Sequence, residues 1–566
     1  MTLPKAENLD EWFPRSTNGS TAKTVSLLDE HSVRLGVVVG GSLSKGLVVR
    51  LERGQTVEDL AVGRYVVVHG ERKRFFCMLT DIELSNTNPS IQNDPPDISD
   101  PFIRDVITGT AAYGTIHVAP MLSLEDDKPK PVKTIPGHFT HVYNATEQDV
   151  NDVFGQEDAT HFNVGAPLEL EHTQINLDLK RLVERSIGVF GKSGTGKSFL
   201  TRVLLSGVIS RGMACSLIFD MHNDYGWEVT DERGPKAKGL AQLFPGKVTI
   251  LTLDAESSRR RNARYDSEVR LGYDEIEPED IAMLKSTMSL SDAMIDAAFA
   301  LRKRWGEEWI SRLLKGSVDD FDELTENTPI LGGTLTALQR RLERFQRWEF
   351  LIPKGTGESV ERIIHLLVEE QKSVVLEFGR YGNSLEAYIL VANYLTRRIH
   401  ERYVEKVEKA LGDSSMEPPQ LLITIEEAHK FLDPQIARQT IFGIIAREMR
   451  KYKVTLLVVD QRPSGIDEEV ISQIGTRVTA LLDNERDIQA VLTGISGAGG
   501  LREVLARLDT KQQAIIMGHA VPMPVVVRTR AYDDDFYKAV MNGTPVPNVP
   551  KEDARKSLGG SGKKRI

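Results

Sequence analysis

The chain has 566 residues, more than a single hydrophobic core accommodates, so two to four domains are expected. The fractions of charged (27%) and hydrophobic (40%) residues are ordinary for a globular protein. The sequence shows no apolar run long enough to span a bilayer and no signal-peptide segment. We therefore predict a cytoplasmic protein with buried, reduced cysteines and no membrane partner. The net charge of −10 excludes a molecule that is basic as a whole, so a nucleic-acid partner would have to meet a local basic surface.

Short apolar runs alternate with turn residues from about residue 32 to 170, for example Leu35–Gly41 and Gly63–Gly70. Pairs of such runs at close spacing predict a small antiparallel β-barrel, to which we assign residues 1–170. His138 and His141 lie three residues apart in this region. No third ligand is spaced to join them, so the sequence does not predict a metal site there.

An apolar run, Ile187–Phe190, leads into a glycine-rich loop and then into residues at helical spacing. This order of strand, loop and helix is the context in which the pattern Gly-x-x-x-x-Gly-Lys-Ser binds nucleotide phosphates. Glycines let backbone N–H groups turn toward a phosphate, Lys197 reaches the β- and γ-phosphates, and the Ser198 hydroxyl ligates Mg²⁺. The predicted ligands of a nucleoside triphosphate are Gly191, Lys192, Ser193, Gly194, Thr195, Gly196, Lys197, Ser198 and Phe199.

Strands and helices alternate after this loop, which predicts an α/β fold with a largely parallel sheet and ligands at its carboxyl edge. A helix-rich stretch interrupts the alternation. We therefore predict a RecA-like P-loop NTPase core over residues 171–254 and 348–535, with a helical insertion at 255–347. The Pro-, Gly- and Lys-rich residues 536–566 are predicted to form a flexible C-terminal tail.

Two carboxylates, Glu426 and Glu427, follow the apolar run Leu421–Ile425. On the sheet that carries the phosphate loop, the first would hold Mg²⁺ through water and the second would polarise the attacking water. An acidic helix start after a strand is the alternative interpretation. A further apolar run, Val454–Val459, is followed by Gln461, which is placed to contact the γ-phosphate or the lytic water.

Arg447 and Arg450 lie three residues apart and therefore share one face of a predicted helix. A solvated basic face is the alternative interpretation for this pair. The residues alone do not decide between the two.

Five motifs follow one another in the chain, and together they resemble the HerA branch of the HerA/FtsK ATPases. They are Gly-Lys-Ser-Gly-Thr-Gly-Lys-Ser, Ile-Phe-Asp-Met-His-Asn-Asp-Tyr, Ile-Glu-Glu-Ala-His-Lys-Phe-Leu, Ala-Arg-Glu-Met-Arg-Lys-Tyr and Asp-Gln-Arg-Pro-Ser. The resemblance covers about residues 170–530 through these motifs. It extends more weakly over residues 30–165, where the family carries a β-barrel like that of ATP-synthase subunits.

The resemblance implies a homo-hexameric ring with ATP bound between neighbouring protomers. The ring would act as a helicase or translocase that drives double-stranded DNA through its central channel without sequence specificity. The resemblance also implies a separate nuclease or other effector subunit, in DNA end processing or anti-phage defence. An ATP-dependent scaffold that regulates a partner enzyme with little translocation is the alternative, and a conjugation or secretion motor is a third possibility. The sequence does not decide whether the ring has six or seven protomers, or in which direction it moves on DNA.

The resemblance also assigns roles to single residues. It implies that Glu427 is the catalytic carboxylate and that Gln461 senses the γ-phosphate. Arg450, or less readily Arg447, would be the arginine finger in the neighbour's site, and Arg185 would serve the subunit interface. Asp220 and Asp224 match acids of the family's second strand, where Glu is more usual than Asp224. Glu426 stands where the family commonly has Asp, and its longer side chain should still reach a hydrated Mg²⁺.

The densest basic run of the chain contains Arg259, Arg260, Arg261 and Arg264. In a ring, six copies of this run would line a groove or pore that binds DNA phosphates without reading the sequence. A solvated loop or a protein-docking patch fits the same residues. Other candidates for DNA contact are His222–Tyr225, Lys236 and Lys238.

Overall fold

The computed structural model of the chain describes residues 33–542, except for residues 89, 126–127, 231–235, 318–319, 322–330, 439, 449–450, 496–497 and 511. The predicted arginine finger, Arg450, lies outside the described residues. So do the beginning of the predicted barrel domain, residues 1–32, and residues 543–566 of the predicted tail.

The first part of the chain forms a closed antiparallel barrel, as predicted. Its strands are β1 (Arg34–Ser42), β2 (Gly46–Leu51), β3 (Tyr65–His69), β4 (Arg74–Asn86), β5 (Ala112–Glu125), β6 (Lys128–Pro131) and β7 (His141–Asn144). Six strands pair in the order β2-β1-β7-β3-β4-β5, and β5 pairs back to β2, which closes the ring; β6 pairs with β5 beside it. Alternate residues point inward, so Val66, Val68 and Cys77 are fully buried in the barrel core.

Three helices accompany the barrel. Two of them lie between β4 and β5 and the third follows β7: α1 (Ser90–Asn93), α2 (Pro101–Thr110) and α3 (Glu147–Phe154). The third begins with a capping box, in which the Thr146 side chain accepts from the N–H of Asp149 and the Asp149 carboxylate accepts from the N–H of Thr146.

The second part of the chain is built on a sheet of twelve described strands. The strands after the barrel are β8 (His161–Ala166), β9 (Ile175–Asp178), β10 (Ile187–Phe190), β11 (Cys215–Asp220), β12 (Val229–Thr230), β13 (Lys236–Ala237), β14 (Val248–Thr252), β15 (Ser267–Glu268), β16 (Leu271–Gly272), β17 (Leu351–Ile352), β18 (Ser373–Glu377), β19 (Leu421–Glu426), β20 (Val454–Asp460), β21 (Thr476–Thr479), β22 (Gln513–Gly518) and β23 (Val525–Thr529). The sheet order is β15-β14-β18-β11-β19-β20-β10-β21-β22-β23-β8-β9. Its pairs are parallel from β15 to β21 and antiparallel from β21 to β9. The predicted α/β class is confirmed.

Helices pack on this sheet and form the stretch between β14 and β18. They are α4 (Leu179–Val183), α5 (Lys197–Arg211), α6 (Leu240–Leu243), α7 (Ala255–Arg260), α8 (Pro278–Ala282), α9 (Asp292–Trp305), α10 (Trp309–Lys315), α11 (Gly332–Leu342), α12 (Glu358–Val368), α13 (Leu385–Ala410), α14 (Ile441–Glu448), α15 (Glu468–Gln473), α16 (Glu485–Leu492), α17 (Ala498–Ala506) and α18 (Asp534–Asn542). Helices α7 to α11 fall within the predicted insertion. None of the helices in the described ranges is both long and apolar enough to cross a membrane.

Two segments differ from the predicted organisation. The strand His161–Ala166 pairs with β23 and therefore belongs to the large sheet, although the sequence-based limit at residue 170 placed it with the barrel. Residues 536–542, predicted as flexible tail, belong to α18. Phe536, Tyr537 and Val540 are buried and hold this helix against α5, which explains why its short sequence is ordered.

The barrel contacts the large sheet through the turn before β3. The N–H of Val526 in β23 donates a hydrogen bond of 2.9 Å to the Tyr65 hydroxyl, and Tyr65 is 3% exposed. Gly63 lies in the left-handed region (φ 94°), and a Cβ there would lie 3.2 Å from Val526 Cγ2. Arg64 forms an ion pair of 2.5 Å with Glu169, in the loop after β8. The two parts of the chain therefore share a packed, hydrogen-bonded contact.

Replacing Tyr65 by Phe leaves the buried N–H of Val526 without its acceptor. Because an unpaired buried donor costs about 1 to 3 kcal/mol, we expect Tyr65→Phe to lower the midpoint of urea unfolding. Tyr113→Phe is the matched control. Tyr113 lies on β5 of the barrel, and its half-buried ring lies under the Arg50 guanidinium, 4.1 Å away. Equal midpoints for Tyr65→Phe and Tyr113→Phe would contradict the role of this bond.

Candidate nucleotide-binding site

The topology of the sheet brings the predicted site residues together. Strand β20 lies between β19 and β10, and all three run parallel. Their carboxyl ends therefore meet at one edge of the sheet. The phosphate loop follows β10, Glu426 and Glu427 end β19, and Gln461 follows β20. The edge predicted from the sequence is thus formed by three adjacent strands.

Close packing determines the shape of the phosphate loop. Gly191 has a φ of 154°, and a Cβ there would lie 2.8 Å from the Thr195 hydroxyl and 2.9 Å from Ala480 Cβ. Gly196 has a φ of 87° and caps the N-terminus of α5, with open space where its Cβ would be. Backbone N–H groups can therefore approach a phosphate closely at the positive end of the helix dipole.

The two lysines of the loop have different partners. Lys197 Nζ donates a hydrogen bond of 3.0 Å to the carbonyl of Lys192, and burial lowers the pKa of Lys197 against the opposing effect of Glu427. Lys192 is exposed and pairs with Asp483, in the loop after β21. A phosphate at the loop would give the half-buried Lys197 ammonium an anionic partner in place of a carbonyl. Ser198 and Phe199 are half-buried, and Ser193 and Gly194 are exposed.

Buried acids lie beside the loop. Glu426 Oε1 accepts a hydrogen bond of 2.9 Å from the Tyr225 hydroxyl, while its Oε2 is buried without a hydrogen-bond partner among the described residues. Asp220 accepts from the N–H groups of Asp224, Tyr225 and Gly226 at 2.7, 2.8 and 3.3 Å. Burial is the largest cause of a raised pKa at both acids, and repulsion from neighbouring carboxylates is the second. The pKa of Glu426 is raised to about 8 and that of Asp220 to about 7.

Glu427 is held in an uncommon backbone conformation. Its φ of 50° and ψ of 44° lie in the left-handed region, which non-glycine residues seldom adopt and which concentrates at functional sites. Gln461 Nε2 donates a hydrogen bond of 3.0 Å to Glu427 Oε1. The structure therefore brings these two predicted residues into direct contact.

Asp460 and His429 complete this edge. Each lies inside one of the five motifs, but no role was assigned to either from the sequence. The Asp460 carboxylate accepts from His429 Nδ1 at 2.9 Å and from the N–H groups of His429 and Arg462 at 2.7 Å. Burial opposes ionisation of Asp460, but these hydrogen bonds outweigh it and lower its pKa. The network fixes the turn from β19 into Glu427 against the end of β20.

A cavity of about 670 Å³ extends from the loop and the acidic edge toward the chain after β23. Its far wall contains residues 529–533, together with Phe199 and Arg202. The Phe199 and Tyr532 rings are 6.1 Å apart, and the Arg202 guanidinium lies 5.0 and 5.7 Å from them. Phe199 was predicted from the sequence, whereas residues 529–533 were missed because they come more than 300 residues after the phosphate loop and carry no motif.

Two predicted arginines lie away from the cavity of their own chain. Arg185 precedes β10, at the end of the strand opposite the phosphate loop, and packs against Gly475. Arg447 is on α14, donates a hydrogen bond to the carbonyl of Arg438 and does not line the cavity. Contact of either arginine with a nucleotide would therefore require a neighbouring protomer.

The predicted DNA-contacting run is largely neutralised by carboxylates. Arg261 forms an ion pair of 2.6 Å with the buried Glu377, and Arg260 pairs with Glu256 one helical turn away. Arg259 lies 3.9 Å from Glu268. The guanidinium of Arg264, the fourth member, lies 6.0 Å above a tryptophan ring.

Two protein-family models match the chain. One is described as the central domain of helicase HerA and matches residues 162–399; the other is described as the HAS barrel domain and matches residues 35–135. The two matches together span more than half of the sequence. The chain therefore has the barrel and the central domain of a HerA-type ATPase. The family resemblance drawn from the five motifs is confirmed.

Curated relatives are 21% to 26% identical to this chain over the aligned parts. The DNA double-strand break repair helicase HerA of Pyrococcus furiosus is 26% identical over 425 residues, which is 69% of this chain and 72% of that protein. The protein of the same name from Sulfurisphaera tokodaii is 23% identical over 88% of this chain and 93% of its own length. Among solved structures, VirB4 of Thermoanaerobacter pseudethanolicus is 13% identical, with a TM-score of 0.43 over 66% of this chain and 98% of that chain.

The oxygen donors of this site fit a hydrated Mg²⁺ bound together with nucleotide phosphates. Across the described ranges, no three His, Cys, Asp or Glu side chains are grouped to hold a metal ion by themselves. Mg²⁺ commonly takes one or two protein ligands and completes its shell with water and substrate phosphates. The Ser198 hydroxyl and the unpartnered Oε2 of Glu426 are oxygen donors of this kind, and both residues line the cavity.

The raised pKa values of Glu426 and Asp220 predict a pH-dependent stability. In the metal-free protein both folded pKa values exceed the unfolded values of about 4, so their contribution is complete below about pH 4. It is lost as the pH rises toward about 8, by at most about 1.4 kcal/mol per pH unit for each proton. Urea unfolding in EDTA should show a free energy of unfolding that falls between about pH 4 and pH 8. Glu426→Gln should make this fall with pH less steep. An unchanged slope would contradict the assignment.

Proposed function

We propose that the chain is a cytoplasmic, ring-forming, ATP-driven motor of HerA type that moves double-stranded DNA. The observation that carries the proposal is the contact between Glu427 and Gln461 at the sheet edge that also bears the phosphate loop. A glycine-rich loop alone binds phosphate, whereas a loop facing an activated carboxylate and an amide is suited to hydrolysis. The curated relatives are named DNA double-strand break repair helicases, which supports DNA as the polymer that is moved.

In this proposal each part of the site has one task. Lys197 and the loop N–H groups bind the β- and γ-phosphates, and Gln461 senses the γ-phosphate. Glu427 orients the attacking water and accepts its proton. Ser198 and Glu426 would hold the Mg²⁺, which neutralises the developing phosphate charge. Residues 529–533 enclose the other end of the nucleotide and keep water out of the cavity.

Glu427→Gln should abolish hydrolysis while leaving ATP binding intact. The amide keeps the size of the side chain but cannot accept the proton, so we expect the hydrolysis rate to fall by roughly 10²- to 10⁴-fold. The measurement is ATP hydrolysis with and without linear duplex DNA, beside binding of a fluorescent ATP analogue. Glu469→Gln, an exposed glutamate on α15, is the control. Hydrolysis by Glu427→Gln at the wild-type rate would refute the assigned role.

The proposal includes a homo-hexameric ring in which each site is completed by the next protomer. Arg447 does not reach the cavity of its own chain, and Arg185 lies at the opposite end of β10. We therefore assign Arg450, or Arg447, to the neighbour's γ-phosphate and Arg185 to the subunit interface. An arginine in trans stabilises the charge of the transferred phosphoryl group only after assembly.

Hydrolysis should therefore depend on protein concentration. On dilution below the assembly threshold, specific activity is expected to fall together with the fraction of rings measured by mass photometry, because each protomer loses its neighbour's cation. Arg450→Ala should form rings of normal mass with activity reduced roughly 10³-fold or more. Full specific activity in monomers would rule out the trans arrangement.

The proposal further includes a separate partner subunit, a nuclease or other effector, in DNA end processing or anti-phage defence. It is supported by the family resemblance and by the repair function named for the curated relatives. Directional movement along DNA, measured by displacement of a third strand from a triplex in ATP, distinguishes this motor from an ATP-dependent scaffold. A scaffold would hydrolyse ATP without displacing the strand.

A further inference from the structure

Helix α11 and the 3₁₀ turn that continues it, Glu343–Arg347, have one buried face. Leu335, Leu338, Leu342 and Phe345 are at most 1% exposed and pack within the helical insertion, where α11 contacts α9 and α10. Their spacing of three and four residues defines a single apolar stripe. The opposite face of the helix is therefore turned outward.

That outward face carries four arginines, Arg340, Arg341, Arg344 and Arg347, which we name the α11 arginine face. Arg340 and the half-buried Arg341 lie in the last turn of α11, whereas Arg344 and Arg347 lie three residues apart in the 3₁₀ turn and are eclipsed along one side of it. From Arg340 to Arg347 the rise is about 10 to 13 Å. Arg344 lies 3.3 Å from Glu386 on α13. The other three have no carboxylate within ion-pair distance in the described parts of the chain.

Cations of the same insertion differ in how they are paired: Lys303 and Arg304 on α9 also lack an ion pair in the described parts of the chain, but no other described helix of the insertion carries four arginines so close together. Arg302 and Arg312, on α9 and α10, each form an ion pair of 2.7 Å, with Glu277 and Glu308. Like charges one helical turn apart destabilise a helix, and a helix dipole favours cations only in its last turn. The arginine face extends beyond that turn to Arg347, in a chain with a net charge of −10.

The polar character of the face selects the class of partner. From residue 339 to 347 every exposed side chain is Arg, Gln or Glu, with Glu343 as the single acid. The centres of protein interfaces are enriched in aromatic and apolar side chains and depleted of charge, whereas arginine and amide groups are common ligands of phosphate backbones. Four cations along about 10 to 13 Å match the closely spaced charges of a duplex.

We propose that the α11 arginine face binds the sugar-phosphate backbone of double-stranded DNA without reading its sequence. The inference rests on the proposed function, because it identifies where the motor contacts the polymer. It places this contact on the helical insertion and not on the carboxylate-paired run Arg259–Arg264.

The test is fluorescence anisotropy of a short labelled duplex of mixed sequence with the full chain, over about 50 to 200 mM salt. Each lost phosphate contact reduces the slope of log K against log salt by about 0.9, so Arg340→Gln, Arg341→Gln and Arg347→Gln combined should reduce it by roughly 2 to 3. Arg259→Gln with Arg260→Gln, which removes two exposed arginines that are paired with carboxylates, is the matched control and should leave the slope unchanged. Circular dichroism and fluorescent-nucleotide binding verify that both variants are folded.

A wild-type slope in the triple variant would overturn the inference, and a reduced slope only in the control would move DNA binding to the loop at Arg259–Arg264. Should the triple variant fail to fold, Arg347→Gln alone, in the turn after the helix, is expected to reduce the slope by about 0.9. An unchanged slope in that single variant would equally overturn the inference. If the wild-type chain hydrolyses ATP but binds no duplex DNA, the proposed motor function fails along with it.

Discussion

The position of β20 between β10 and β19 is the constraint on which the ATPase site depends. Backbone pairing sets Phe190 beside Asp460 and Glu426 beside Val459, so the three strands end in register. Every residue of β20 is buried, and a shift of one residue would turn its side chains to the opposite face. Sheet pairing therefore brings the strand ends together, and the turns that follow them place the carboxylate of Glu427 and the amide of Gln461.

The cavity depends on distant parts of the chain as well as on this edge. Its far wall follows β23, and β23 is hydrogen-bonded to the barrel residue Tyr65. One short strand therefore joins the barrel to the wall of the nucleotide cavity, through packed and hydrogen-bonded groups.

The parts predicted well from sequence were those with strong local patterns. Apolar runs followed by glycines or acids located β10, β19 and β20, and alternation located the barrel. Contacts between residues far apart in the chain could not be read in this way, such as Tyr225 with Glu426 and His429 with Asp460. Helix α18 was missed because charge and proline content dominated its surroundings, although Phe536, Tyr537 and Val540 have the spacing of one helix face.

The pairing of β8 with β23 has a consequence for synthesis of the protein. Ala166 of β8 pairs with Arg528 of β23, so this pair of strands forms only after the 362 residues that follow Ala166 have been translated. At 5 to 20 residues per second, β8 waits for its partner for about 20 to 70 s. During that time the barrel folds from nearby strands, while its outer face around Tyr65 and Phe76 stays uncovered. Newly made chains thus have a long interval in which an apolar barrel surface is open to chaperones or to the wrong partner.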